Sequence, residues 1–159
     1  MPWFPTYIDL KGNNCTIFGG GFSAVSYAEL LLKFDAKVTV VSSELCDELA
    51  AMDHAGRIRY IPRRYFRGDC SSCYICIAAT GDEALNIAIS DECKARAVAV
   101  CVESPAAYGT FKFPVAVTDG GVTISAACNS DDIQHCEKIA EILRRAMDEI
   151  RATQNKKGV

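Results

Sequence analysis

Apolar and polar positions along this chain fall into blocks whose period switches. Cys15-Thr16-Ile17-Phe18 is a short apolar run that meets three glycines, Gly19-Gly20-Gly21. Ala24, Tyr27, Ala28, Leu31 and Leu32 then recur on one face of a helix. The pattern predicts strand, glycine turn, helix. After Phe34-Asp35-Ala36, the run Lys37-Val38-Thr39-Val40-Val41 supplies a second strand at the spacing of a βαβ unit. A helix over 43–52, an edge strand and loop within 57–67, a strand over 74–79, a helix over 82–95 and a strand over 97–102 continue the alternation. This order predicts an α/β fold whose parallel sheet is wrapped by helices over residues 1–112.

Beyond that point the period changes again. Phe113-Pro114-Val115-Ala116-Val117 and Val122-Thr123-Ile124-Ser125 flank Thr118-Asp119-Gly120-Gly121, a hairpin signal. A long helix is predicted over 131–153, with Ile133, Cys136, Ala140, Leu143, Met147 and Ile150 on one seam. Such a seam suits a helix of another subunit, or packing on the chain's own domain. Residues 113–159 thus read as a dimerisation segment, and the chain as a homodimer.

The glycines give the first half its chemistry. Gly19, Gly21 and Ala24 fit G-x-G-x-x-A. In that motif the first glycine permits the tight turn, the second admits a pyrophosphate against the backbone, and the small third residue lets helix and strand close up. The N–H groups of the helix start then face the anion. The expected architecture is therefore a Rossmann-like, doubly wound dinucleotide-binding domain. The second strand ends in Ser42-Ser43-Glu44. Either Glu44 and the serine hydroxyls take the adenosine ribose, or Glu44 is an acidic first-turn residue of the helix over 43–52, capped by Ser42. No arginine or lysine stands beside that stretch in the sequence to hold a 2′-phosphate, so NAD is expected over NADP.

Composition narrows the partners. The formal charge of −3 argues against nucleic acid or an anionic membrane surface. The start, Met1-Pro2-Trp3-Phe4-Pro5-Thr6, lacks the basic and apolar regions of a leader, and the apolar runs are only strand-length, so a cytoplasmic protein is expected. Five arginines, Arg57, Arg59, Arg63, Arg64 and Arg67, read as a solvated edge or as anchors for a carboxylate- or phosphate-rich ligand. The nine cysteines read as reduced thiols, with no metal site expected. Cys70, Cys73 and Cys76 have the spacing of the first three ligands of an iron–sulfur run, but no fourth follows at a matching interval. Cys93, Cys101 and Cys128 qualify only if folding brings one close. His54 and His135 read as surface residues.

Several stretches, in order, resemble the precorrin-2 dehydrogenase family: Phe4-Pro-Thr-Tyr-Ile-Asp-Leu-Lys11, Gly19-Gly-Gly21, Leu30-Leu-Leu32, Val38-Thr-Val-Val41, Ile77-Ala-Ala-Thr80 and Leu85-Asn86. Some members of that family are also sirohydrochlorin ferrochelatases. The resemblance implies NAD-dependent oxidation of the tetrapyrrole precorrin-2 to sirohydrochlorin in siroheme synthesis. It implies that Gly19, Gly21, Phe22 and Ser23 contact the dinucleotide, that Ser43 and Glu44 lie beside its adenosine ribose, and that Thr80 sits near the nicotinamide. The arginine cluster and Lys112 are available as anchors for the macrocycle's carboxylates. Where the family has Asn-Val-Val-Asp-x-Pro with a catalytic Asp, this chain has Val100-Cys101-Val102-Glu103-Ser104-Pro105. Spacing to Pro105 puts Glu103 in the catalytic place, and spacing back from Phe113-Pro114 puts Ser104 there. Gly81 stands where Asp is usual, and the Ser/Thr-Gly-Gly-x-Ser-Pro loop is represented by Ala127-Cys128-Asn129-Ser130-Asp131. The alternatives are a non-catalytic relative that binds dinucleotide or tetrapyrrole, and a thiol-based metal or redox module.

Overall fold

The computed structural model describes residues 4–119, 121–127 and 133–157. Five strands, β1 (Asn14–Phe18), β2 (Lys37–Ser42), β3 (Arg59–Pro62), β4 (Ile75–Ala78) and β5 (Ala99–Val102), form one sheet in the order β3-β2-β1-β4-β5. Every pairing in it is parallel. Buried parallel strands carry apolar residues on both faces rather than alternating ones. That is why Cys15, Ile17 and Phe18 of β1, and Ile75, Cys76, Ile77 and Ala78 of β4, are all in the core. Helix α1 (Phe22–Leu32) packs on β1 and β2, while α3 (Glu83–Ala95) packs on β4 and β5. The right-handed crossover rule puts these helices on opposite faces, because the strand order leaves β1 in one direction and β4 in the other. The expected Rossmann-like, doubly wound α/β sheet is the fold observed.

One expected element moves. The helix foreseen over 43–52 with Ser42 as its cap is α2 (Asp47–His54), and its N-cap is Cys46. Residues 42–46 are committed elsewhere: the Cys46 N–H donates to the Gly20 carbonyl at 2.8 Å, and the Ser42 hydroxyl oxygen accepts from the Glu44 N–H at 3.5 Å. Glu44 is therefore not a first-turn residue. Helix α3, by contrast, starts as a capped helix should, with Asp82 Oδ1 accepting the Leu85 N–H at 3.1 Å, a bond worth about 1 kcal/mol.

The chain divides into two compact units, one ending at Phe111 and the other beginning at Lys112. The second holds an antiparallel hairpin, β6 (Val115–Asp119) and β7 (Val122–Ala126), in which Val117 faces Ile124. Helix α4 (Ile133–Lys157) packs on both strands. Met147 of the expected seam is 4 % exposed, and Arg151 is paired with Asp119 of β6 at 2.5 Å. The hairpin thus takes up at least part of the seam. Gly120, Cys128 and the loop 128–132 lie outside the described residues, as do the side chains of Ile133, His135 and Cys136. No helix among the described residues is long and apolar enough to cross a membrane.

Candidate functional site

The carboxyl ends of β1 and β4, where the strand order reverses, are where a doubly wound sheet opens its crevice. Each glycine there has its own constraint. Gly19 has φ +123°, and a Cβ on it would lie 1.9 Å from the Ala79 carbonyl oxygen. Gly20 would place a Cβ 1.9 Å from the Glu44 carbonyl oxygen and 2.9 Å from Ser42 Oγ. Gly21 has nothing within 4 Å of that position. So Gly19 lets β1 run against the end of β4, Gly20 lets the loop after β2 close over the turn, and Gly21 opens on free space. No side chain caps the start of α1. The turn is a backbone cradle with room in front of it, the shape a pyrophosphate needs. The residues present therefore fit a dinucleotide. Ala24, fully buried, keeps α1 tight against the sheet.

The residues expected at the site arrange themselves around this cradle. Phe22, 74 % exposed, and Ser23, also exposed, follow Gly21 at the first turn of α1. Ser43 and Glu44 are exposed just past β2. Ser42 pairs with Pro62, so Arg63 and Arg64 leave β3 at the same end of the sheet as Ser43 and Glu44. Sequence distance hides this neighbourhood. Arg63 is engaged by Asp69 through two bonds of 2.7 and 2.8 Å, and that pair holds the Asp69 carboxyl below its ordinary range.

Thr80 is less available to a ligand than the resemblance implies. Its N–H donates to Asn86 Oδ1 at 3.1 Å, and its hydroxyl lies 2.8 Å from the same oxygen and 3.1 Å from the Asp82 carbonyl. Asn86, 1 % exposed, also donates from Nδ2 to the Ser104 carbonyl at 2.9 Å. One buried amide therefore ties the end of β4 to the end of β5. The sequence marks Asn86 only by resemblance, since its two partners lie on other elements.

At the end of β5, the Glu103 N–H donates to the Ala78 carbonyl at 3.0 Å, and its side chain is exposed. The Ser104 hydroxyl instead bonds Glu83 at 2.6 Å, and the Ser104–Pro105 peptide is cis. Both candidates for the carboxylate's place are exposed; Ser104 has its hydroxyl committed to Glu83, and Glu103 is the one that carries a carboxylate. Tyr27 of α1 lies close by. Its phenol is held well above the usual range, first by burial, then by the neighbouring Cys101 and Glu103.

The arginine cluster is not brought to this carboxylate. It sits before, on and after β3, with β2, β1 and β4 between that strand and β5. At about 4.8 Å per strand that is about 19 Å. Arg57, Arg59, Arg64 and Arg67 are all exposed. Arg57 and Arg59 lie at the amino end of β3, away from the crevice, and only Arg64 and Arg67 follow its carboxyl end, on the adenosine side if a dinucleotide lies in the usual sense. His54 is exposed at the end of α2.

Comparison with known proteins agrees with this geometry. The family model described as "Putative NAD(P)-binding" matches residues 6–115. Siroheme synthase of Thioalkalivibrio sulfidiphilus (strain HL-EbGR7) is 37 % identical over 130 residues, covering 76 % of this chain and 27 % of that protein. Siroheme synthase 1 of Cronobacter sakazakii (strain ATCC BAA-894) is 30 % identical over 150 residues, covering 94 % and 31 %. The chain thus spans under a third of the length of these relatives. Among solved structures, "SirC, precorrin-2 dehydrogenase" superposes with a TM-score of 0.72 at 21 % identity, over 91 % of this chain and 71 % of that one, a likeness of fold.

Proposed function

Because this chain belongs to the NAD(P)-binding family of precorrin-2 dehydrogenases and siroheme synthases, we propose that it oxidises precorrin-2 to sirohydrochlorin with NAD+. The reaction removes one hydride and one proton from the macrocycle, and bound NAD+ supplies the hydride acceptor. The observation that carries this reading is the cradle: Gly19 and Gly20 are closed by backbone on both sides while Gly21 opens on free space. In this reading Gly19, Gly21, Phe22 and Ser23 contact the dinucleotide. Ser43 and Glu44 take the adenosine ribose, and Thr80, held by Asn86, sets the nicotinamide end. Glu103 is the proton acceptor, its exposed carboxylate standing at the end of β5.

The NAD preference rests on Glu44, an exposed carboxylate where a 2′-phosphate would have to lie, and on the engagement of Arg63 by Asp69. Arg64 is the residue that would serve NADP+ if the preference were reversed. The unit beginning at Lys112 is proposed as the dimerisation segment of a homodimer, supported by strands that stay half-exposed along most of their length. We place the protein in the cytoplasm.

Anaerobic absorbance spectroscopy with precorrin-2 and NAD+ tests the proposal, with Glu103→Gln beside the wild type. Sirohydrochlorin is expected to appear with wild type and to fall by about 100-fold or more in rate with the variant. A ligand-bound spectrum without conversion in both proteins would overturn the catalytic reading and leave a binding role.

A further inference from the structure

Four cysteines that the proposed reaction does not use are gathered on the α3 side of β4. Cys70 lies in a 3-10 turn, Asp69–Ser72, Cys73 follows that turn, Cys76 is inside β4, and Cys93 is near the end of α3. Local bonds fold the turn. Gly68 takes φ +113°, and its carbonyl accepts both the N–H and the hydroxyl of Ser71, at 3.1 and 2.7 Å. Glu92 then fastens the turn to α3, since its carboxylate accepts the Gly68 N–H at 3.0 Å, the Tyr65 hydroxyl and Arg96 Nε at 3.0 Å. The next residue along α3 is Cys93, whose side chain enters the core.

The result is a set of thiols with a common centre. The Sγ atoms of Cys70, Cys76 and Cys93 lie within 4.8 Å of one another, and all three residues are fully buried. The Cys76 thiol is also in hydrogen-bonding contact with that of Cys73, which sits 3.0 Å from Thr16 Oγ1. A metal–sulfur bond of about 2.3 Å in a tetrahedron puts sulfurs about 3.8 Å apart. The sulfurs of Cys70, Cys76 and Cys93 therefore need to close by only about 1 Å at most, within the reach of small side-chain rotations, and Cys73 reaches the group through Cys76. A cubic four-iron cluster would need them spread further. Glu92 is committed to these donors and to the Cys70 N–H, so the first ligands on hand are thiols alone, the donor set of a borderline-soft, closed-shell divalent cation. Phe18, Val41, Ile89 and Val100 line the surroundings, which keeps solvent away and makes the site structural.

We propose that Cys70, Cys76 and Cys93, completed by Cys73, bind one zinc ion that pins the turn at 69–72 and the end of α3 to β4. Binding converts the thiols to thiolates and releases their protons to solvent. The proposal is independent of the dehydrogenase reading, since no residue of the cradle takes part. It replaces the expectation of no metal, which rested on the lack of a fourth cysteine at a matching interval. Cys93 is supplied by the fold, from a helix that follows β4.

The full chain, purified under reducing conditions without chelator, is expected to carry about one zinc per chain by elemental analysis. After exchange with Co2+ it should show thiolate-to-cobalt charge transfer in the near ultraviolet and the visible bands of tetrahedral cobalt. Cys93→Ser should abolish those bands, while Cys46→Ser, outside the group, should retain them. The wild type decides the question even if Cys93→Ser does not fold. A folded, reduced wild type without zinc and without cobalt bands, an intact mass two hydrogens low with no metal, or an iron chromophore in place of zinc would each overturn the proposal.

Discussion

The two units of this chain use apolar residues in opposite ways. In the five-stranded sheet every residue of β4 is buried, as are Cys15, Ile17 and Phe18 of β1. In the hairpin, Val115, Ala116 and Val117 of β6 and all of β7 remain half-buried, although Val115, Val117, Val122 and Ile124 are as apolar as the residues of β4. Strand sequence alone does not set burial; the number of layers around the strand does. A central parallel strand is covered on both faces, whereas a two-stranded ribbon with one helix against it is covered on one. The first unit's stability should therefore be local and intolerant of added atoms, and the second's should depend on what it meets.

The largest effect is expected at Gly20. Gly20→Ala drives a methyl group into the Glu44 carbonyl, which is backbone and cannot rotate away. A loss of about 3 kcal/mol or more is expected in denaturant unfolding, and a smaller one would show the loop after β2 to be looser than the contact implies. Next comes Cys15. Burial first, and the neighbouring Cys73 second, push its thiol up from 9.0 to about 11. The folded thiol holds its proton more tightly than the unfolded one, so the stability linked to it is complete below pH 9 and is lost as pH rises towards 11. That amounts to about 2 to 3 kcal/mol. Unfolding measured from pH 8 to 11 should show the decline, and Cys15→Ala should make it shallower, the raised phenols of Tyr27 and Tyr65 supplying what remains.

Smaller effects probe the second unit and the cradle. Val117→Asp puts a charge on a half-buried hairpin position, and is expected to cost the chain about 1 kcal/mol or less at low concentration while converting a dimer to a monomer by light scattering. An unchanged mass would break the contrast between the units. Smallest for stability is Gly21→Ala, about 0.5 kcal/mol or less, because the new methyl meets nothing within 4 Å. Yet NAD+ affinity by calorimetry should fall about 10-fold or more, since the methyl occupies the space left for the pyrophosphate. Equal affinity would place the dinucleotide elsewhere.

The legible parts of this fold were those with local causes. Period and glycine placement locate β1, α1, β2, α3 and the hairpin, because each is set by neighbours a few residues away. The sequence pattern starts helix α2 too early because Ser42 has the chemistry of a cap. It is diverted by a tertiary demand, the closing of residues 42–46 over Gly20. Gly20 itself occupies a free position in the motif, and only its approach to the Glu44 carbonyl shows why it is glycine. Asn86 and Cys93 were opaque for the same reason: their partners come from β4, β5 and the turn at 69–72. That Arg64 and Glu44 leave the sheet at the same end follows from the β2–β3 register, which no single strand encodes.

The strand order also dictates when the crevice can exist during synthesis. β1 sits at the centre of the sheet, but its neighbour β4 is made only after β2 and β3. On the ribosome, Gly19 therefore emerges long before the Ala79 carbonyl against which it packs. The two walls of the nucleotide crevice are thus separated in synthesis by β2, α2 and β3, so a nascent chain halted before β4 has a glycine turn but no place for a cofactor to lie.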